Sequence, residues 1–399
     1  MSVAFKTPPR RILVRGVNWL GDAVMTTPAL LRLREKFPAA HIALLTPAKL
    51  AELWKNHPAV DEVIPFTADE GVLKVLRKLR YGRGPEILRG AEGKFHAAPV
   101  IIPARFDLAL VLPNSPRSAL EVFLADIPQR IGYARPWRNF FLTQAVAPRT
   151  DAVKMRKRTA SEIRQLISEK PEVKSQKSES PKSAHQIFEY LHLVGALGAN
   201  PEPLAPQLFV TPEEIEAVKM KFGLDKISAP IFGLNPGAEY GSAKRWPAEK
   251  FISAAKEIQT KANCVWLVFG GKNDEAVATQ IQSAIGNRQS AISLAGKTSL
   301  RELMALLKLC RVLLTNDTGP MHVAAALGTP VVVPFGSTSP ELTGPGLPGD
   351  MHHRLLKSDA PCAPCFLREC PIDFRCMNGI EIEAVVVAML SAARPDQTT

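Results

Sequence analysis

Residues 11–30 read RILVRGVNWLGDAVMTTPAL. Ile12, Leu13 and Val14 make a short apolar run that enters a turn bounded by Gly16 and Gly21, and the spacing beyond the turn is helical. A buried strand passing through a glycine turn into a helix is the opening unit of a parallel α/β sheet. Asp22 stands where that helix begins. The two glycines lie five positions apart, so the turn fails the G-x-G-x-x-G dinucleotide fingerprint. A phosphate loop is disfavoured as well, because a carboxylate at a helix start repels the anion that the helix dipole attracts. Two readings of Asp22 stand: a helix cap, or a carboxylate at a ligand-binding turn that accepts a proton.

The alternation continues outward from this stretch. PALLRLREKF (28–37) is helical, HIALLTP (41–47) is a strand, AKLAELWKNH (48–57) a helix and VDEVIPF (60–66) a strand. LKVLRKLR (73–80) is again helical, and FDLALVLP (106–113) is a strand that ends in the turn Pro113-Asn114-Ser115. The pattern restarts in the second half. PIFGLNPGA (230–238), CVWLVFGG (264–271), RVLLTND (311–317) and TPVVVPFG (329–336) are strands, the last of these being the final strand expected. AEKFISAAKEIQTKA (248–262), SLRELMALLKLC (299–310) and GPMHVAAALG (319–328) are the helices between them. Strand and helix in strict turn predict two doubly wound α/β domains, 1–200 and 201–399, joined at NPEPLAP (200–206), with a cleft facing the carboxyl ends of both sheets. Insertion loops are expected at about 82–104 and 150–184. The second contains SEKPEVKSQKSESPKSA (168–184), a Lys, Ser and Glu tract too polar to order itself.

At 399 residues the chain is long enough for two cores. No apolar run spans a bilayer, and the opening MSVAFKTPPRR carries no apolar signal core, so a cytoplasmic protein is expected. The formal charge is +12, which favours anionic partners: nucleic acid, acidic lipid or phosphorylated substrates.

Two turns in the second half carry more chemistry. LNPGAEYGSAKRWP (234–247) presents Gly237, Gly241 and Ser242 ahead of Lys244 and Arg245, a set of amides and cations suited to a diphosphate. In TNDTGPMHVAAALGTPVV (315–332), Asp317 ends a strand, Thr318 and Gly319 open a helix, and His322 lies on its first turn, where amides can meet a phosphate.

Together GVNWLGDAVMTTPAL, LPNSPRSALEVFLADIPQRIGYA, NPGAEYGSAKRWP and LLTNDTGPMHVAAALGTPVVVPFGSTSP resemble the ADP-heptose:lipopolysaccharide heptosyltransferases of glycosyltransferase family nine, and within them the type II members. The resemblance runs from about residue 11 to 340, with the motifs in the right order and spacing. It implies a GT-B architecture, with an N-terminal acceptor domain, a C-terminal ADP-heptose domain and inverting transfer that requires no cofactor. Asp22 matches the general base of the family and Lys244 the lysine on the diphosphate. Gly237, Ser242, Asp317, Thr318, Gly319 and His322 match the donor-binding turns, and Asp274 or Glu275 the ribose carboxylate. Asn18, Asn114, Ser115 and Arg117 fall on the acceptor side. The implied acceptor is the inner-core heptose of lipopolysaccharide, met at the anionic inner membrane, with no nucleic acid as partner. A type I or other core-position heptosyltransferase is the alternative within the family. A non-catalytic basic protein that binds anionic lipid or nucleic acid is the alternative of another class; its affinity would fall steeply with salt.

CAPCFLRECPIDFRC (362–376) gathers Cys362, Cys365, Cys370 and Cys376. In a reducing compartment such a run predicts a structural clip, made either by zinc or by paired disulfides. Met377 to Leu390 follows as a C-terminal helix, of the kind that packs back on the first domain in GT-B enzymes.

Overall fold

The computed structural model describes residues 5, 7–81, 106–153, 155–168, 181–286 and 290–394. The insertion expected at 82–104 lies outside the described residues, as do residues 169–180 of the polar tract. The rest of the second insertion is partly ordered, with a helix at Ala160–Ser168 and a single 3-10 turn at Lys182–Ala184.

The first sheet contains β1 (Arg11–Arg15), β2 (His41–Pro47), β3 (Glu62–Phe66), β4 (Leu108–Val111), β5 (Gln129–Tyr133) and β6 (Gln144–Val146). The second contains β7 (Ile231–Asn235), β8 (Val265–Val268), β9 (Ala291–Ser293), β10 (Leu313–Thr315), β11 (Val331–Phe335) and β12 (Arg354–Lys357). All the pairings are parallel. The spatial order is β3-β2-β1-β4-β5-β6 in one sheet and β9-β8-β7-β10-β11-β12 in the other, so the same doubly wound topology occurs twice. In such sheets the chain changes direction between the first and fourth strands, here β1 and β4 or β7 and β10. Ligands bind outside the carboxyl ends at that point.

The sheets form because their central strands are apolar on both faces. Leu13, Ala43, Ala109 and Val111 pack with Val75, Leu79, Ala119 and Val122 from the covering helices. The second core joins Leu234, Trp266, Val268 and Leu314 to Phe251, Ile258, Val385 and Met389. Each fully buried side chain of this size contributes about 1.5–3 kcal/mol.

The chain divides into two compact units, Met1–Thr150 with Glu189–Glu202, and Asp151–Phe188 with Pro203–Thr399. Residues 151–188 therefore group with the second unit rather than with the residues that precede them. One reason is apolar: Ile163 of the Ala160–Ser168 helix shares a small buried cluster with Cys362 and Cys365.

Three expectations are corrected. The stretch 48–57 is a 3-10 segment, Ala48–Trp54, because Leu50 and Leu53, three apart, are both buried in a tighter turn. The strand at 329–336 is not the last, since β12 follows it at the sheet edge. The C-terminal helix is two helices, Arg375–Asn378 and Ile382–Ala392. The second of these buries Val385, Val386 and Met389 in the core of the second unit. No helix among the described residues is long and apolar enough to cross a membrane.

Candidate active site

In the first unit the turn after β1 leads into the helix Leu20–Met25, whose cap position is held by Trp19. Asp22 is the third residue of that helix, half-buried on its first turn, so it does not occupy the cap position. A carboxylate there still complements the helix dipole. The first unit also holds a buried ion pair that sequence reading missed. Arg15, at the end of β1, donates from Nε to Glu121 at 2.8 Å, with both side chains almost fully buried. Its Nη1 donates to the Gly16 carbonyl at 2.6 Å and lies 3.5 Å from Asn18 Oδ1. The other oxygen of Glu121 accepts from Arg117 Nε at 3.0 Å. Arg117 and Asn18, both singled out from sequence, are thereby tied to one buried carboxylate through two arginines.

The turn after β4 carries the remaining candidates. Ser115 caps the helix Pro116–Leu124, its Oγ accepting from the Ser118 amide at 3.3 Å, so its first duty is structural. Asn114 is exposed and its Oδ1 accepts from Arg138 Nη1 at 3.3 Å.

In the second unit the turns after β7 and β10 meet. Lys244 Nζ donates to Asp317 Oδ2 at 2.7 Å, the two side chains being 14% and 4% exposed. Thr338 Oγ1 donates to the same oxygen at 2.5 Å. Behind this pair Asn316 acts as a clamp. Its Oδ1 accepts from the Trp246 amide at 2.9 Å, and its Nδ2 donates to the Pro236 carbonyl at 2.7 Å. Asn316 and Thr338 were both missed.

Thr318 stands at the cap position of the helix Gly319–Ala326 without making a side-chain cap bond. His322 is buried on the first turn. Burial pushes its pKa down to about 4, against the opposing pull of the Asp317 carboxylate, so the imidazole is neutral near pH 7. Ser242 is exposed and opens the 3-10 turn Ser242–Lys244.

Gly237 is required by close approach: a Cβ there would lie 2.3 Å from the Asp274 carboxylate. Asp274 thus sits over the turn after β7 and accepts from the Gly271 amide at 3.0 Å. Glu275 instead stands against Gly296, where a Cβ would lie 2.4 Å from its Oε1. The structure therefore brings Asp274, not Glu275, to the β7 turn.

A further wall comes from the cysteine-rich loop. Ala243 N donates to the Arg368 carbonyl at 2.9 Å, and Tyr240 Oη to the Phe366 carbonyl at 3.0 Å. The Lys244 ammonium and the Arg368 guanidinium lie 4.9 and 5.1 Å from the Tyr240 ring centre. All six cysteines are free thiols, and among the described residues no group of three or more His, Cys, Asp or Glu is placed to hold a metal. Cys362 and Cys365 pack in the small cluster with Ile163, and Cys376 in the main core. Burial pushes the Cys376 thiol up to about 12, so it is protonated and behaves as a small apolar side chain.

Comparison with known proteins identifies the family. Residues 101–374 match glycosyltransferase family 9 (heptosyltransferase). The chain is 31% identical over 341 residues to lipopolysaccharide heptosyltransferase 2 of Salmonella typhimurium, covering 84% of this chain and 85% of that protein. It is 30% identical over 342 residues to lipooligosaccharide heptosyltransferase 2 of Haemophilus influenzae, covering 84% and 85%. The solved structure of E. coli ADP-heptose lps heptosyltransferase II superposes with a TM-score of 0.70 at 27% identity, covering 96% of this chain and 98% of that one. The chain belongs to glycosyltransferase family 9, the heptosyltransferases.

Proposed function

We propose that this enzyme is an inverting heptosyltransferase of the type II kind, moving a heptose from ADP-L-glycero-D-manno-heptose to the inner-core heptose of lipopolysaccharide. The observation that carries this reading is the pairing of Lys244 with Asp317 where the turns after β7 and β10 meet, beside the first turn of Gly319–Ala326. An ammonium has three donors; one is spent on Asp317, and two remain for diphosphate oxygens. The amides at the start of Gly319–Ala326 add partial positive charge to the same anion. Asp317 accepts both of its hydrogen bonds on Oδ2, which leaves Oδ1 for hydroxyls of the heptose. Asp274, held over Gly237, is the carboxylate for the ribose.

The second unit is then the donor unit and the first the acceptor unit. Asp22 takes the proton of the acceptor hydroxyl as its oxygen attacks the anomeric carbon. The bond from that carbon to the diphosphate oxygen breaks, its electron pair leaving with ADP, and attack from the opposite face inverts the centre. Lys244 and the helix amides stabilise the charge that develops on the leaving group. The net charge of +12 suits an acidic lipid acceptor presented at the cytoplasmic face of the inner membrane.

The test is release of ADP from ADP-heptose, measured with two truncated lipopolysaccharides, one ending in the first core heptose and one lacking it. Type II transfer predicts turnover with the first alone. Turnover only with the heptose-free acceptor would assign type I, and turnover with neither would remove the reading.

A further inference from the structure

The cysteine-rich loop brings a further cation to the turn after β7. Arg368 is exposed, and its Cζ lies 5.1 Å from the centre of the Tyr240 ring, the same ring that Lys244 Nζ approaches to 4.9 Å. The other two cations of this turn are already engaged. Lys244 donates to Asp317 at 2.7 Å. Arg245 pairs with Asp274 at 3.4 Å and donates to the Ala238 carbonyl at 3.3 Å. Among the described residues the Arg368 guanidinium makes no ion pair, and its contact is the Tyr240 ring.

Backbone bonds, not the side chain, fix the place of this residue. The Arg368 carbonyl accepts from the Ala243 amide at 2.9 Å, and the Phe366 carbonyl accepts from the Tyr240 hydroxyl at 3.0 Å. The Phe366 amide donates to the Ser337 carbonyl at 2.6 Å, and Ser337 precedes Thr338, the residue that donates to Asp317. The loop thus runs from beside Thr338 to the turn that carries Lys244. It holds a guanidinium there and spends none of its five N–H donors on a protein acceptor. An aromatic face attracts a cation but leaves its N–H edge free for an oxyanion. Two like charges gathered on one ring repel, and an anion beside both offsets that repulsion.

We propose that Arg368 is a second cation for the donor diphosphate, meeting phosphate oxygens with its planar fork while Lys244 meets them as a point charge. The cysteine-rich loop then supplies a binding residue to the donor site as well as a wall. This rests on the donor role given above to the second unit. The sequence gives no cue to it, since Arg368 stands between Cys365 and Cys370 in a run that points to structure, far along the chain from the turns it joins.

Arg368→Gln and Arg368→Lys test the proposal in the full-length enzyme, by calorimetry with ADP, adenosine and inorganic pyrophosphate. Arg368→Gln should weaken ADP and pyrophosphate about tenfold, the scale of one charge-assisted pair, and leave adenosine within about twofold. Arg368→Lys, which keeps the charge but not the fork, should fall between. The melting temperature without ligand should stay within about two degrees of wild type, as for an exposed side chain, because every variant keeps the carbonyl that holds Ala243. Affinities of Arg368→Gln for ADP and pyrophosphate equal to those of wild type would overturn the proposal. So would an equal loss for ADP and adenosine with a lower melting temperature, which would make the side chain a brace for Tyr240. Failure of wild type to bind ADP would defeat the donor reading of this unit. The pyrophosphate comparison would then decide the anion site by itself, with tighter binding by wild type supporting it and equal binding overturning it.

Discussion

Lys244 and Asp317 form an almost buried ion pair, and each is therefore costly to lose alone. Lys244→Ala should weaken ADP binding at least tenfold by calorimetry and leave adenosine binding within about twofold, because the charge acts on phosphate rather than on the nucleoside. Equal losses for both ligands would point to collapse of the turn instead. His185 offers a second residue-scale test. Its Nε2 lies 3.0 Å from the Gly344 carbonyl and its Nδ1 accepts from the Ile187 amide at 3.3 Å, so the geometry selects the neutral ring that carries its proton on Nε2. Burial lowers its pKa from 6.5 to about 4. The unfolded chain then binds more protons than the folded one between those values, so stability falls as pH drops from 6.5 towards 4. Each such histidine contributes on the order of 1–3 kcal/mol to that loss. His185→Gln should be less stable than wild type at pH 7 yet show a shallower fall in melting temperature between pH 6.5 and 4. Parallel curves for the two proteins would place the acid sensitivity elsewhere.

At the scale of elements, the turn after β7 is held from outside by the loop 366–368. Gly241 has a φ of 157°, and a Cβ there would lie 2.2 Å from the Arg368 carbonyl. Gly241→Ala should therefore push the Lys244 turn off that loop at a cost of about 1–3 kcal/mol, seen as a lower melting temperature together with weaker ADP binding. An unchanged affinity for ADP would separate the turn from donor binding. The elements that the sequence displays most openly are those with long apolar runs. HIALLTP (41–47) and AEKFISAAKEIQTKA (248–262) have the bounds expected of them. β6, β9 and β12 escaped because they are edge or near-edge strands of three or four residues, QAV, AIS and RLLK, which bury too little to show a period. The switch-point turns were legible because glycine, a carboxylate and lysine cluster directly after apolar strands. Arg15, Glu121 and Asn316 were not, since a buried polar residue is defined by a partner that only the fold brings near. The four cysteines misled for the same reason. Their spacing suggests a clip, whereas the fold places Cys362 and Cys365 in one apolar cluster and Cys376 in another, and leaves Cys370 half-buried.

At the scale of the molecule, two copies of one topology carry different chemistry at equivalent positions. The turn after β1 leads to a carboxylate, Asp22; the turn after β7 bears Lys244 against Asp317. That asymmetry matches a reaction that needs a base for one substrate and a charge sink for the other. The surplus of twelve positive charges predicts salt-sensitive binding to vesicles containing phosphatidylglycerol and little binding to neutral vesicles. Sedimentation with both vesicle types at 50 and 500 mM salt (roughly 14 and 4 Å of screening length) would check it, and equal binding to both would argue against a charge-led membrane contact.

The claim on which the account turns is that Asp22 is the base of a heptosyl transfer. The direct measurement is the rate of ADP release with a heptose-terminated acceptor for wild type and Asp22→Asn, alongside the affinity of each for ADP. The amide keeps the size of the side chain and removes its basicity. Turnover should fall about 100-fold or more, with ADP affinity unchanged within twofold and the melting temperature within a few degrees. Turnover in Asp22→Asn within a few-fold of wild type would contradict the account, and would leave Asp22 to the service of the helix on whose first turn it lies.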